Sequence, residues 1–238
     1  MRSWDFDEWR VALGAVDPRA AALVGLAAAE RISGALGDAR FRRHGDAAAE
    51  TARHLLDLCW TGILAGDDAS RARLHVLADQ LADRTGAYVR RTLTEQYGTT
   101  EGPDGHAGGT SGETFAESLD GAFEEALEEA LEEAELAGAV MLHVDALTAL
   151  SEAASACAGG PWDGALRCLQ TTAMAISGDG PGQPGPGAET RRQYEDLALL
   201  RAVPVAGLDR AAAELRVRAQ AVAPEWRRAA ERLDLLDD

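Results

Sequence analysis

Residues 17–37 read DPRAAALVGLAAAERISGALG. Asp17-Pro18 is the pattern of an N-cap followed by proline at the first helical position, where the missing N–H breaks no hydrogen bond. Ala21, Leu23, Leu26 and Ile32 then return at helical spacing until Gly37 offers a stop, and the Glu30-Arg31 pair marks a possible polar edge. The longest purely apolar run, Ala20 to Ala29, falls short of the roughly 20 residues that a spanning helix requires, so the segment reads as a helix of a water-soluble protein.

The same signature recurs on both sides of this stretch. Upstream, a short helix is expected around Phe6 to Leu13. Downstream, one is expected from about Asp46 to Ala65, stopped by Gly66, and another capped by Asp67-Asp68 and carrying Leu74, Leu77, Leu81, Tyr88 and Leu93. Thr110 to Glu113 fits a capping box ahead of Phe115, Leu119, Phe123, Leu127 and Leu131. Further helices are expected over Met141 to Leu150 and Trp162 to Ile176, then a C-terminal pair or trio punctuated by Pro204 and Pro224. Strand patterning is nearly absent, and nothing recurs at a solenoid period.

The expected fold is therefore all-α, a compact multi-helix bundle of about eight or nine helices. Two Gly/Pro-rich flexible loops interrupt it: GTTEGPDGHAGGTSG over residues 98–112, and GDGPGQPGPGA over residues 178–188. The pieces after Gly178 are short and amphipathic and are expected to return to the main bundle. Residues 1–238 then form a single helical domain.

Composition narrows the function. The chain has 238 residues, with 40 acids against 23 arginines and neither lysine nor asparagine, for a formal charge of −17. Such a charge repels nucleic acid and anionic membranes, so neither is an expected partner. Without lysine there is no phosphate-loop, Schiff-base or kinase lysine, and arginine cannot supply that amine. Three cysteines, Cys59, Cys157 and Cys168, fit neither a disulfide framework nor a zinc ribbon, and are expected as free core thiols. The opening Met1 to Glu8 lacks the basic-then-apolar pattern of a secretory signal, so the expected location is cytoplasmic.

The charge is unevenly placed. No basic side chain occurs between Arg91 and Arg167, while residues 92–166 hold 16 acids. Glu124, Glu128 and Glu132 align at i,i+4, as do Glu125, Glu129 and Glu133, and each such like-charge pair costs about 0.2 to 0.5 kcal/mol. One reading is a solvated helix face opposite an apolar stripe; the other is an acidic interaction face for a basic protein partner. Calcium fits less well, because its loops wrap ligands around a turn and these carboxylates are splayed along a helix.

Glu50, His54 and Asp57 share one face of the expected Asp46 to Ala65 helix, opposite Ala48, Ala52, Leu55, Leu56, Cys59 and Ile63. They read either as an exposed polar face or as part of a metal-dependent or hydrolytic site. Neighbouring His143 and Asp145 diverge on a helix, leaving His143 as a packing or surface residue. The His-Glu-x-x-His, Gly-x-Ser-x-Gly and Glu-x-x-His patterns are absent, and the glycine-rich stretches follow no strand, so no cofactor is indicated. Trp4, Trp9, Trp60, Trp162 and Trp226 are expected packing anchors.

Three stretches together resemble the YjaG-like family, the bacterial domain of unknown function 416. They are Ala22 to Arg31, reading ALVGLAAAER; His54 to Trp60, reading HLLDLCW; and Asp145 to Glu152, reading DALTALSE. The similarity lies in helix-face patterns over about half the chain, and the sequence departs from the family in its acidic middle and proline-rich linker. The resemblance implies a compact helical bundle and no activity by itself. It singles out Glu30, Arg31, Asp57, Trp60 and Asp145 as core polar pairs or a polar groove. The functional expectation is an interaction or regulatory module, with the enzyme using Glu50, His54 and Asp57 as the alternative and homo-oligomerisation open.

Overall fold

In the computed structural model, described here for residues 4–65, 68–97, 138–159, 162–175 and 186–234, every side chain from Ala20 to Ile32 is buried. This is α2 (Pro18–Ile32), opened by Asp17, whose carboxylate accepts the Arg19 N–H at 2.9 Å. Its alanines and Gly25 keep the surface narrow, so neighbours approach on all sides. A Cβ on Gly25 would stand 3.1 Å from the Ala165 Cα of a facing helix.

Around α2 stand α1 (Phe6–Gly14), α3 (Ala39–Ala65), α4 (Asp68–Tyr97), α5 (Gly138–Cys157), α6 (Asp163–Met174), α7 (Pro186–Arg201) and α8 (Leu208–Asp234). Two short 3₁₀ turns complete the described residues, Ser33–Gly37 and Val205–Gly207, and no strand occurs among them. The fold is all-α. Helix α2 packs on α3, α5, α6, α7 and α8, whereas α4 packs on α3 and α5. Buried apolar side chains from every described helix join one core, anchored by Trp9, Phe41, Tyr88 and Trp226. Residues 18–37 have the length and apolarity of a membrane span, and 83% of that window is buried inside the bundle.

Local chemistry explains where the elements depart from the expected boundaries. Helix α2 ends at Ile32 and tightens into a 3₁₀ turn up to Gly37. Helix α3 begins at Ala39 rather than near Asp46, because Asp38 accepts the Phe41 N–H at 3.4 Å and supplies the helix start. Helix α7 begins at Pro186, inside the expected linker, with proline again in the first turn.

Pro224 does not separate two helices; α8 runs through it. Proline removes one N–H and frees the carbonyl four residues back. Here Pro224 faces solvent while Leu215, Ala219, Trp226, Ala229 and Ala230 keep a buried stripe across it. The 3₁₀ turn abuts α8 one residue earlier: a Cβ on Gly34 would fall 1.9 Å from the Ala223 carbonyl oxygen. Only glycine fits that contact. The expected helix after Thr110 and the expected loop 98–112 lie outside the described residues.

Candidate functional site

Glu30 and Arg31 occupy the last turn of α2, and consecutive helical residues point about 100° apart. Neither forms a polar edge. Both are buried, and they enter different surroundings.

Arg31 is 2% exposed and enters a closed ion-pair centre. Its Nε donates to both oxygens of Glu189 at 3.0 and 3.1 Å, Nη2 to Glu189 Oε1 at 2.7 Å, and Nη1 to Asp196 Oδ2 at 2.6 Å. Both carboxylates come from α7 and are themselves buried. Burial alone would lower the Arg31 pKa, but the two anions more than reverse this and hold the guanidinium firmly charged. Asp196 is pushed above the ordinary carboxylate value by burial, with Arg31 and then Arg218 pulling it back. Two carboxylates on one guanidinium leave an excess negative charge, which Arg192 and Arg218 approach from the rim at 4.0 and 3.6 Å.

Glu30 turns the other way. Its Oε2 accepts the Trp60 indole N–H at 2.6 Å and its Oε1 accepts the Gln220 amide at 3.3 Å. Both contacts are donations from neutral N–H groups. Among the described residues no cation pairs with it. Glu30 lines a cleft of about 590 Å³ between the 3₁₀ turn and α3, shared with Ser33, Arg42, Asp46, Glu50, Arg53 and His54. That volume falls within the range of about 300 to 1,000 Å³ typical of small-ligand sites.

The Glu50, His54 and Asp57 face is exposed, but it does not form one cluster. Glu50 lines the Glu30 cleft, Asp57 lines an apolar groove between α3 and α4, and His54 borders both. Asp57 is ion-paired with Arg216 of α8, whose guanidinium carbon lies 5.9 Å from the Trp60 ring centre. Among the described residues no group of three or more His, Cys, Asp or Glu side chains is placed to hold a metal ion. The acidic face of Glu124, Glu125, Glu128, Glu129, Glu132 and Glu133 lies outside the described residues.

His143 is fully buried rather than at the surface. Its Nδ1 hydrogen-bonds the Tyr88 hydroxyl at 2.8 Å, and its Nε2 faces Asp38 Oδ2 across 3.5 Å. Phe41 packs on both rings, at 4.7 Å from Tyr88 and 5.0 Å from His143. Burial raises the Asp38 pKa, yet the His143 ring and the Phe41 and Ala39 N–H groups outweigh it and hold the carboxyl below its ordinary value. Asp145, two residues along α5, is half-buried. The three thiols are free and buried. A hydrogen bond with Cys157 and then burial push the Cys59 pKa well up; burial does the same to Cys168, whose Sγ–H meets the Gly25 carbonyl at 3.1 Å.

Sequence reasoning selected Glu30, Arg31, Glu50, His54, Asp57 and Trp60, and the fold brings Glu30 and Trp60 into contact, with Glu50 and His54 lining the same cleft. It missed Glu189, Asp196 and Gln220, which meet the α2 pair from 158 to 190 residues away. No local signal marks them. The chain matches no known family profile, no curated protein and no solved structure.

Proposed function

We propose that the protein is a non-catalytic interaction module whose acidic segment receives a basic protein partner. The observation that carries this reading is the partition of charge. Residues 98–137 hold 12 acids and no arginine, while the described residues hold 24 acids and 22 arginines. A near-neutral helical body attached to one strongly negative stretch concentrates its field on that stretch, which attracts and orients a cationic surface over about 8 Å at physiological ionic strength. Supporting it, the described charges of the core are paired within the bundle, as Glu189 and Asp196 are with Arg31, Arg192 and Arg218. They serve the scaffold.

The test is fluorescence anisotropy of the full chain with an arginine-rich peptide and an uncharged peptide of equal length, at about 50 and 300 mM salt. The expected result is binding of the basic peptide alone, at least about tenfold weaker at high salt. Replacing Glu124, Glu125, Glu128, Glu129, Glu132 and Glu133 together with glutamine should abolish it while the far-ultraviolet spectrum stays helical. Equal affinity in that variant overturns the reading.

A further inference from the structure

We propose that the cleft beside the 3₁₀ turn is a binding site for a small organic cation, with its ammonium or guanidinium head on Glu30. The argument begins with a buried anion that lacks a counter-charge. Glu30 is 9% exposed, and its described partners are the neutral donors of Trp60 and Gln220. A carboxylate has about four lone-pair sites, so two N–H donors leave half its capacity unused. Burying such a charge is unfavourable unless a cation compensates it. At Arg31, one residue away, the fold supplies that compensation in full; at Glu30 it does not.

The nearby cations are otherwise placed. Arg216 lies over the Trp60 ring, but Asp57 takes its guanidinium. Arg42 and Arg53 line the same cleft, yet the described partners of Glu30 are Trp60 and Gln220 and neither arginine is among them. The carboxylate therefore lines a hollow of about 590 Å³, room for a ligand of amino-acid or polyamine size. On the walls Asp46 and Glu50 offset Arg42 and Arg53, and Ser33 adds a hydroxyl, so the charge left over in the cleft is that of Glu30. The head would donate to the free lone pairs of Glu30, where charge-assisted hydrogen bonds are short and strong. The Trp60 N–H, fixed on the same carboxylate, would report the event.

The experiment is a titration of the full ¹⁵N-labelled chain with agmatine, and separately with sodium phosphate. The readout is the Trp60 indole N–H resonance, assigned by its loss in Trp60→Phe. The expected result is a saturable shift with agmatine below about 10 mM and none with phosphate. Glu30→Gln should weaken agmatine at least about tenfold, the loss of one charge-assisted contact. Should Glu30→Gln fail to fold, the exposed Arg53→Glu serves instead: it adds an anion to the rim and is expected to tighten agmatine at least about threefold. No saturable agmatine shift overturns the proposal, as do equal affinities in Glu30→Gln, an unchanged affinity in Arg53→Glu, or a response to phosphate alone.

Discussion

Glu30 and Arg31 are neighbours in sequence, both buried, and opposite in their treatment by the fold. Arg31 is enclosed by α7, which brings Glu189 and Asp196 onto the same guanidinium in a fixed geometry. Glu30 is held by two neutral donors and lines a cleft. The contrast teaches that burial of charge has two solutions in one helical turn. A closed centre ties distant helices together, and an open one keeps an unsatisfied electrostatic demand at a cavity wall. The Arg31 centre also borders a hollow, of about 280 Å³, but its charges are paired within the fold, so it belongs to stability; the carboxylate without a counter-charge belongs to recognition.

The strongest way to break this comparison is Arg31→Met. Two buried carboxylates would remain without their cation, and removing one partner of a buried pair destabilises by about 3 to 5 kcal/mol. Urea denaturation followed by circular dichroism measures it, and a loss below about 1 kcal/mol would mean that Glu189 and Asp196 are compensated elsewhere. Next in size is Gly34→Ala, which drives a methyl group into the Ala223 carbonyl and should cost about 1 to 3 kcal/mol or more by prising the 3₁₀ turn from α8. Because that turn forms one wall of the cleft, the same variant should also weaken ligand capture.

Tyr88→Phe removes the hydroxyl bound to buried His143 and leaves Nδ1 without that partner, at about 1 to 3 kcal/mol. It sharpens the comparison by supplying a buried hydrogen-bonded centre away from Glu30 and Arg31 as reference. Glu30→Gln should cost less, within about 1 kcal/mol, since glutamine retains an acceptor for Trp60 while removing an uncompensated charge. A loss as large as that of Arg31→Met would place Glu30 in the scaffold and erase the distinction.

Asp38 gives the pH arm. Its folded pKa lies below the ordinary 3.8, so its contribution is present above about pH 4 and is lost as pH falls through the folded value. Wild type should therefore be more stable than Asp38→Asn at neutral pH, with the difference shrinking toward pH 3, because asparagine keeps the cap acceptor and removes only the charge. A gap that widens in acid would show that His143, rather than the Asp38 charge, governs that centre.

How much of this was legible differs from element to element. The α2 stretch could be read because its signals are local: Asp17-Pro18 at the start and apolar residues at each turn. The outward face of Glu50, His54 and Asp57 was legible for the same reason, since Leu55, Leu56 and Cys59 fix the opposite side as buried. Glu30 and Arg31 misread as an edge because a charged pair at a helix end usually faces water. Their burial depends on α7 and α8, and no rule of spacing connects Arg31 to Asp196 across 165 residues. Pro224 likewise reads as a breaker until its position on the solvent side of α8 is known.

The sequence by itself determined that the chain is helical, that its thiols sit in the core, and that its negative charge gathers in one stretch. These follow from periodicity and composition, which act between residues a few positions apart. Tertiary structure decided which buried charge finds a partner and which is left facing a cavity. Coulomb and hydrogen-bond energies depend on distances through space, and those distances exist only once α7 and α8 have closed on the turn that ends α2.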